Sequence, residues 1–164
     1  MIFVSVGTHE APFDRLLRAV GELRIDEELV VQYGPSEVRC DGAVEFDYLP
    51  FDSAVDYVRG ARVVVTHAGV GSVMLALANG KRPVVMARLR QFGEHVDDHQ
   101  LELASRLDAA GLVELVGDGA SLTMALARGA EAPARADAAP WLGTALRAYL
   151  AETLGEPVEI QPER

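Results

Sequence analysis

The sequence predicts an α/β fold: a mostly parallel six-stranded sheet between two layers of helices. Three observations carry this expectation. Short runs of Val, Ile and Leu recur along the 164 residues and alternate with longer segments of helical type. Apart from residues 44–48, where Glu45 and Asp47 interrupt, the runs are mostly apolar, the pattern of strands buried on both faces. Gly7, Gly34 and Gly69 punctuate the turns that follow three of them. Such a chain folds as a Rossmann-like three-layer sandwich, whose ligands sit beyond the carboxyl ends of the strands.

Each element has its own signal. Residues 2–6 form the first strand, ending at Gly7-Thr8, and Pro12 suits the first turn of a helix over 13–23. The second strand, 29–33, is ended by Gly34-Pro35, and the third covers 44–48; the polar stretch between them is too short for a helix. Asp52 or Ser53 can cap a helix that runs through Arg59. The central strand, 63–65, leads through a turn holding Gly69 and Gly71 into an apolar helix closed by Asn79-Gly80. The fifth strand is 83–87, the fourth main helix 96–110, and the sixth strand 112–116, with Gly111 as the helix C-cap.

After Gly119 the pattern changes. Residues 121–128 read as a helix, 131–139 as an alanine-rich connector near Pro133 and Pro140, 141–154 as an amphipathic terminal helix, and 155–164 as a polar tail. The organisation predicted is therefore a ligand-binding core over 1–117, further helices of the same domain over 118–154, and the tail. No internal repeat interrupts it.

Composition narrows the function classes. With 49% hydrophobic residues, one full core is expected and no second domain is needed. A formal net charge of −10 argues against nucleic acid and against direct adhesion to anionic lipid, since both need a basic face. Cys40 is the lone cysteine, so neither an internal disulfide nor a cysteine-based zinc site is available. No apolar run approaches the ~20 residues of a membrane span, and the chain opens directly on a strand-like segment. A cytoplasmic protein is expected, one that another protein would bring to a membrane if it works there.

The unusual residues gather at the predicted carboxyl ends. Gly7, Thr8, His9 and Glu10 follow the first strand; Leu49, Pro50 and Phe51 the third; His67, Ala68, Gly69, Val70, Gly71 and Ser72 the fourth; Arg88 through Gln100 the fifth. The central strand, glycine turn and helix start offer unpaired backbone amides and a positive dipole end, without a Cβ to obstruct an anion. A phosphorylated ligand fits that chemistry. Two readings stand for His67, a hydrogen-bonded structural histidine or a ligand contact, and two for Gly7-Thr8, a simple turn or part of the anion site. Arg88 and Arg90 are either solvated or grip a diphosphate or a carboxylate bidentately. His95, Asp97, Asp98 and His99 do not predict a metal site, because successive residues opening a helix diverge and its dipole disfavours a cation.

The motifs also carry a resemblance. Val6-Gly7-Thr8 with Phe13-Asp14, Thr66-His67-Ala68-Gly69-Val70-Gly71-Ser72, Gly80-Lys81-Arg82-Pro83, and the run from Gly93 through Glu94, His95, Asp97, His99 and Gln100 to Ala104 resemble the C-terminal, donor-binding domain of family 28 glycosyltransferases. Of its members the sequence is most similar to the small soluble, PssE-like subunits of bacterial two-subunit exopolysaccharide enzymes. The resemblance implies the C-terminal half of a GT-B fold, binding a UDP-sugar without metal or other cofactor. It further implies inverting transfer of a hexose or uronic acid to a lipid-linked acceptor, with a membrane-anchored partner subunit holding that acceptor at the inner face of the plasma membrane.

Site roles follow from the same resemblance. Gly7 and Thr8 would lie by the diphosphate, with Gly69, Gly71 and Ser72 donating hydrogen bonds to it and His67, Ala68 and Val70 of the same turn also binding the donor. His99 and Gln100 would face the donor sugar, and Leu49 to Phe51 would wall the uracil. Many relatives place a ribose-binding glutamate where this chain has Leu75. A general base must reach the acceptor hydroxyl; His9 stands in a loop that can face the cleft, although the base of two-domain relatives generally belongs to the acceptor half. The partner surface is expected on the ligand-edge loops and around Trp141, Leu146 and Tyr149. Two other classes remain. A non-catalytic subunit that activates its partner would carry the same motifs idle, whereas an NAD-type protein needs Gly-x-Gly-x-x-Gly after the first strand, where this chain has Gly-Thr-His-Glu.

Overall fold

Six strands form one parallel sheet in a computed structural model that describes residues 1–24 and 26–128. They are β1 (Ile2–Ser5), β2 (Leu29–Gln32), β3 (Val44–Phe46), β4 (Val63–His67), β5 (Val84–Met86) and β6 (Glu114–Leu115), in the spatial order β3-β2-β1-β4-β5-β6. Every neighbouring pair is parallel. The connecting helices are α1 (Asp14–Gly21), α2 (Phe51–Gly60), α3 (Val70–Ala78), α4 (His99–Ala109) and α5 (Gly119–Arg128), with a single 3-10 turn at Arg90–Phe92.

Strand composition explains the two covering layers. Val and Ile are stiff at χ1 and suit a pleated surface, and the four residues of β1 and five of β4 are all buried. One face of the sheet, with Ile2, Val4, Val31, Val63 and Val65, packs against Leu16, Leu17 and Val20 of α1 and Leu122, Ala125 and Leu126 of α5. The opposite face, with Phe3, Val30 and Val64, packs against Val58 of α2 and Ala76 of α3. A parallel sheet needs both faces covered in this way.

Register then positions the site. The chain runs outward from β1 through β2 to β3 and returns to place β4 on the other side of β1, so the connections leaving β1 and β4 part in opposite directions. That point opens a crevice at the carboxyl edge. Ser5 pairs in register with Gln32 on one side and with Thr66 on the other. The apolar strands therefore end in one polar row, directly beneath the crevice.

Helix boundaries shift by up to three residues from expectation, and two of the starts have a clear cause. α2 begins at Phe51, not at an Asp52 or Ser53 cap; Pro50 is its N-cap and no side chain caps it. Proline's fixed φ already suits a helix start, and its missing N–H is not needed there. α4 begins at His99, because residues 93–98 are held in a loop by the hydrogen bonds described below. No helix forms between β2 and β3: Asp14 Oδ1 accepts from the N–H groups of Glu37 and Val38, and Ser36 Oγ accepts from Phe13 N–H, which pins that connection to the start of α1. The connector, the terminal helix with Trp141, Leu146 and Tyr149, and the polar tail lie outside the described residues. Among the described residues no helix is long and apolar enough to cross a membrane.

Candidate functional site

A cavity of about 510 Å³ opens at the carboxyl edge between β1 and β4 and extends between the sheet and helices α2 and α3. That volume suits a ligand of nucleotide size. Its deep part is apolar, formed by Phe3, Val58, Val64, Ala54 and Leu75, and its rim carries Tyr48, Leu49 and Phe51. Its floor is the polar row Ser5, Gln32 and Thr66, and its far side holds Gly7, Thr8, His9, His67, Gly71, Ser72 and Gln100. Apolar recess and polar loops face one space.

The polar side is built around His67. A Cβ placed on Gly7 would lie 2.3 Å from His67 Cε1, and one on Gly69 would lie 2.1 Å from His67 Nε2. The imidazole is thus held between two strand-end turns that only glycine allows. Thr66 Oγ donates to the Ser5 carbonyl at 3.0 Å, so the 3.3 Å contact between Thr66 Oγ and His67 Nδ1 is an Nδ1–H donating to the hydroxyl. Burial, with the Arg88 charge second, lowers the His67 pKa from 6.5 to about 4. The ring is neutral at pH 7 and its Nε2 is an acceptor. No Cβ on Gly71 would meet anything within 4 Å, and no side chain caps α3, so its first amides are open to a ligand.

His9 takes a different state from the one a general base requires. Its Nδ1 accepts a hydrogen bond from Ala11 N–H at 3.0 Å, so the neutral ring carries its proton on Nε2. Burial first, and then the charges of Arg88 and His95, lower its pKa. The other ring nitrogen carries the proton, so the neutral ring has a donor to offer and no free lone pair for the expected base role.

Arg88 overturns its expected role as well. Its side chain has no exposed surface and does not line the cavity. Nη2 donates to Val6 O at 2.9 Å, and Nη1 donates to Ala11 O, Pro12 O and Glu94 O at 2.9, 3.1 and 3.2 Å. The guanidinium also stacks on Phe13, 4.7 Å from the ring centroid. Burial lowers its pKa to about 10, which leaves it charged at neutral pH. The cation is consumed by carbonyls and has no fork free for a diphosphate or carboxylate. Arg90 is the exposed member of the pair.

Glu94 completes the same network. Its carboxylate accepts from Arg15 Nε at 3.0 Å, from Arg15 Nη2 at 2.9 Å and from Leu89 N–H at 2.9 Å. Arg88 and Glu94 therefore fasten the loop after β5 to the loop after β1 and to α1. Gln100 reaches the cavity, where its Oε1 accepts from Arg88 N–H at 3.3 Å. His99 does not: it is exposed outside, 3.8 Å from Asp97 and 3.7 Å from Glu102. Among the described residues no cluster of three His, Cys, Asp or Glu could hold a metal ion.

Of the residues expected at the site, the cavity brings together Gly7, Thr8, His9, Leu49, Phe51, His67, Gly71, Ser72 and Gln100. Ala68, Gly69 and Val70 lie in the turn behind it, while Arg88 and His99 are elsewhere. Ser5, Gln32, Thr66 and Tyr48 join the lining without having been expected there. The signal was present: three apolar runs each end in a hydrogen-bonding side chain at matching register.

Known proteins share the sequence pattern and the fold. Residues 1–140 match the glycosyltransferase family 28 C-terminal domain. Over 62 residues the chain is 39% identical to UDP-N-acetylglucosamine transferase subunit ALG13 of Yarrowia lipolytica, covering 38% of this chain and 29% of that protein. The fold superimposes on the glycotransferase of kitacinnamycin with TM-score 0.61 at 21% identity, and on the calicheamicin glycosyltransferase CalG4 with TM-score 0.59 at 21% identity. Those alignments cover 94% and 95% of this chain but only 42% and 40% of the two enzymes. The likeness is one of fold, to less than half of each longer protein.

Proposed function

The chain belongs to the glycosyltransferase family 28 C-terminal domain family, and from that premise we propose that it is the UDP-sugar-binding subunit of an inverting glycosyltransferase. In this reading it transfers a hexose or uronic acid to a lipid-linked acceptor in surface polysaccharide synthesis. A membrane-anchored partner supplies the acceptor side and recruits this chain to the inner face of the plasma membrane. The similarity to a protein named as a transferase subunit supports a divided enzyme.

The observation that carries the reading is the layout of one cavity. At one end are the open first turn of α3, Gly71 and Ser72; at the other are Tyr48, Leu49, Phe51 and the apolar recess. A nucleoside diphosphate has the same polarity, an apolar ring joined to an anion. As the glycosidic bond breaks, negative charge grows on the diphosphate. In this reading the α3 dipole, the open backbone amides and His9 Nε2–H stabilise that charge, all three belonging to residues at the cavity. This stabilisation uses no metal. The acceptor hydroxyl's proton goes to a base on the partner, since His9 presents a donor.

Calorimetric titration tests the reading. UDP, UDP-glucose, UDP-galactose, UDP-glucuronate and UDP-N-acetylglucosamine are titrated into the purified chain in chelator, with NAD as control. Binding of UDP, sharpened by one sugar and absent for NAD, is the expected result. Binding of NAD in preference to UDP would sink the proposal; no binding alone but activation of a co-expressed partner would favour a non-catalytic subunit.

A further inference from the structure

The cavity floor contains one donor group with nothing to bond to. Gln32 ends β2 beside Ser5, is 5% exposed, and lines the cavity. Ser5 Oγ accepts from Gly7 N–H at 3.2 Å and uses its own proton on Gln32 Oε1 at 2.8 Å. That contact turns the oxygen of the amide toward Ser5 and leaves the Nε2 hydrogens without a partner among the described residues. Among the described residues Arg88 Nε is the one fully buried side-chain nitrogen or oxygen that lacks a hydrogen bond. Gln32 Nε2 is therefore not sealed in protein, and it opens on the cavity. Its neighbours are committed: the Thr66 hydroxyl to Ser5 O, His67 Nδ1 to Thr66, and Gln100 Oε1 to Arg88 N–H.

We infer that Gln32 Nε2 donates to an oxygen of the donor's nucleoside, which makes Gln32 the residue that selects for that half of the ligand. This inference rests on the nucleotide-sugar reading above. Strand order supports the placement. The apolar wall follows β3, the glycine turns follow β1 and β4, and β2 lies between β3 and β1. A group at the end of β2 meets whatever joins a base to its diphosphate. Leu75, across the cavity, offers that part of the ligand no hydrogen bond. A buried amide that gains a partner only when the nucleoside arrives discriminates against ligands lacking one, because otherwise it stays unpaired.

The test compares two ligands on two proteins. Gln32→Met removes the amide at nearly constant volume, and calorimetry measures UDP and inorganic pyrophosphate. The expected result is an about tenfold weaker UDP affinity, the size of one hydrogen bond, with pyrophosphate unchanged. Unchanged UDP binding overturns the inference. Equal loss for both ligands also overturns it, since the effect would then pass through Ser5 to the Gly7 turn. A wild-type chain that binds no UDP removes the functional reading and this inference together. Should Gln32→Met not fold, the side-chain amide resonance of Gln32 in the wild-type protein decides. It must shift on adding UMP and stay in place on adding pyrophosphate; a resonance unmoved by UMP overturns the inference.

Discussion

His67 fills the space that a side chain on Gly7 would need, with 2.3 Å between an ideal Cβ there and the ring's Cε1. Gly69 makes the same concession from the other side, at 2.1 Å. Gly71, two residues further on, faces open space. Two of these glycines thus make room for the protein's own histidine, and the third leaves open space beside the start of α3.

This division predicts opposite outcomes for two similar substitutions. Gly69→Ala, at φ −71, is blocked by sterics alone and should destabilise by roughly 1–3 kcal/mol, as overpacking does. Gly71→Ala lies inside α3 and should leave stability equal or raise it by up to about 1 kcal/mol. It should nevertheless weaken UDP, because the new Cβ stands where the diphosphate approaches. Urea denaturation and calorimetry on both variants check this. A Gly71→Ala protein that binds UDP at wild-type strength would place the anion elsewhere.

Acid should destabilise the protein in two separable steps. His67 has a folded pKa of about 4 against 6.5 in the unfolded chain. The unfolded state therefore takes up a proton first as pH falls. The contribution of the neutral ring is complete above about pH 6.5 and is lost by about pH 4, a change of at most about 3 kcal/mol. Glu27 follows at lower pH. Hydrogen bonding to Arg62 lowers its pKa from 4.5 to about 2, so its contribution is present above about pH 4.5 and fades toward pH 2. Denaturant melts across pH should lose the upper step in His67→Gln and the lower step in Glu27→Gln.

Arg88 should behave as a structural cation. Arg88→Met leaves the carbonyls of Val6, Ala11, Pro12 and Glu94 without their donor and should destabilise by about 3 kcal/mol or more. Arg88→Lys should recover only part of it, because one ammonium cannot span four carbonyls. Any loss of affinity in the lysine variant should be equal for UDP-glucose and UDP-glucuronate. If a uronic acid is the donor, Arg90→Ala is the change that penalises UDP-glucuronate selectively. A selective penalty in Arg88→Lys would mean that the buried cation reaches the sugar after all.

The sequence made the sheet easy to read and the site only partly so. Runs such as Val63-Val64-Val65 have no use except in a strand covered on both faces, and Gly7 and Gly34, both at positive φ, mark where the chain turns sharply. Arg88 was misread for a physical reason. An arginine after a strand looks solvated or ligand-facing until its acceptors are known, and these come from residues 6, 11, 12 and 94, three of them more than seventy positions away. His9 was misread because its state depends on one backbone N–H two residues on. Ser5, Gln32 and Thr66 were hidden by their strands: each looks like the polar end of an apolar run, and only the register makes them a floor.

The apolar rim offers the last check. Phe51 opens α2 and is 70% exposed, with its ring on the cavity edge, whereas Leu49 is buried beside it. A large exposed aromatic adds little to the fold and has reason to stand there if a flat ring packs on it. Phe51→Ala should therefore change stability by no more than about 0.5 kcal/mol, the usual range for a surface site. UDP affinity should fall about fivefold, the worth of a ~1 kcal/mol ring contact. Leu49→Ala should lower both, since its side chain also packs with Phe3, Val30 and Val58. Pyrophosphate, which has no ring, should not distinguish Phe51→Ala from the wild type. If pyrophosphate weakens along with UDP, Phe51 is shaping the whole mouth of the cavity, and the base must rest deeper, against Phe3, Val64 and Leu75.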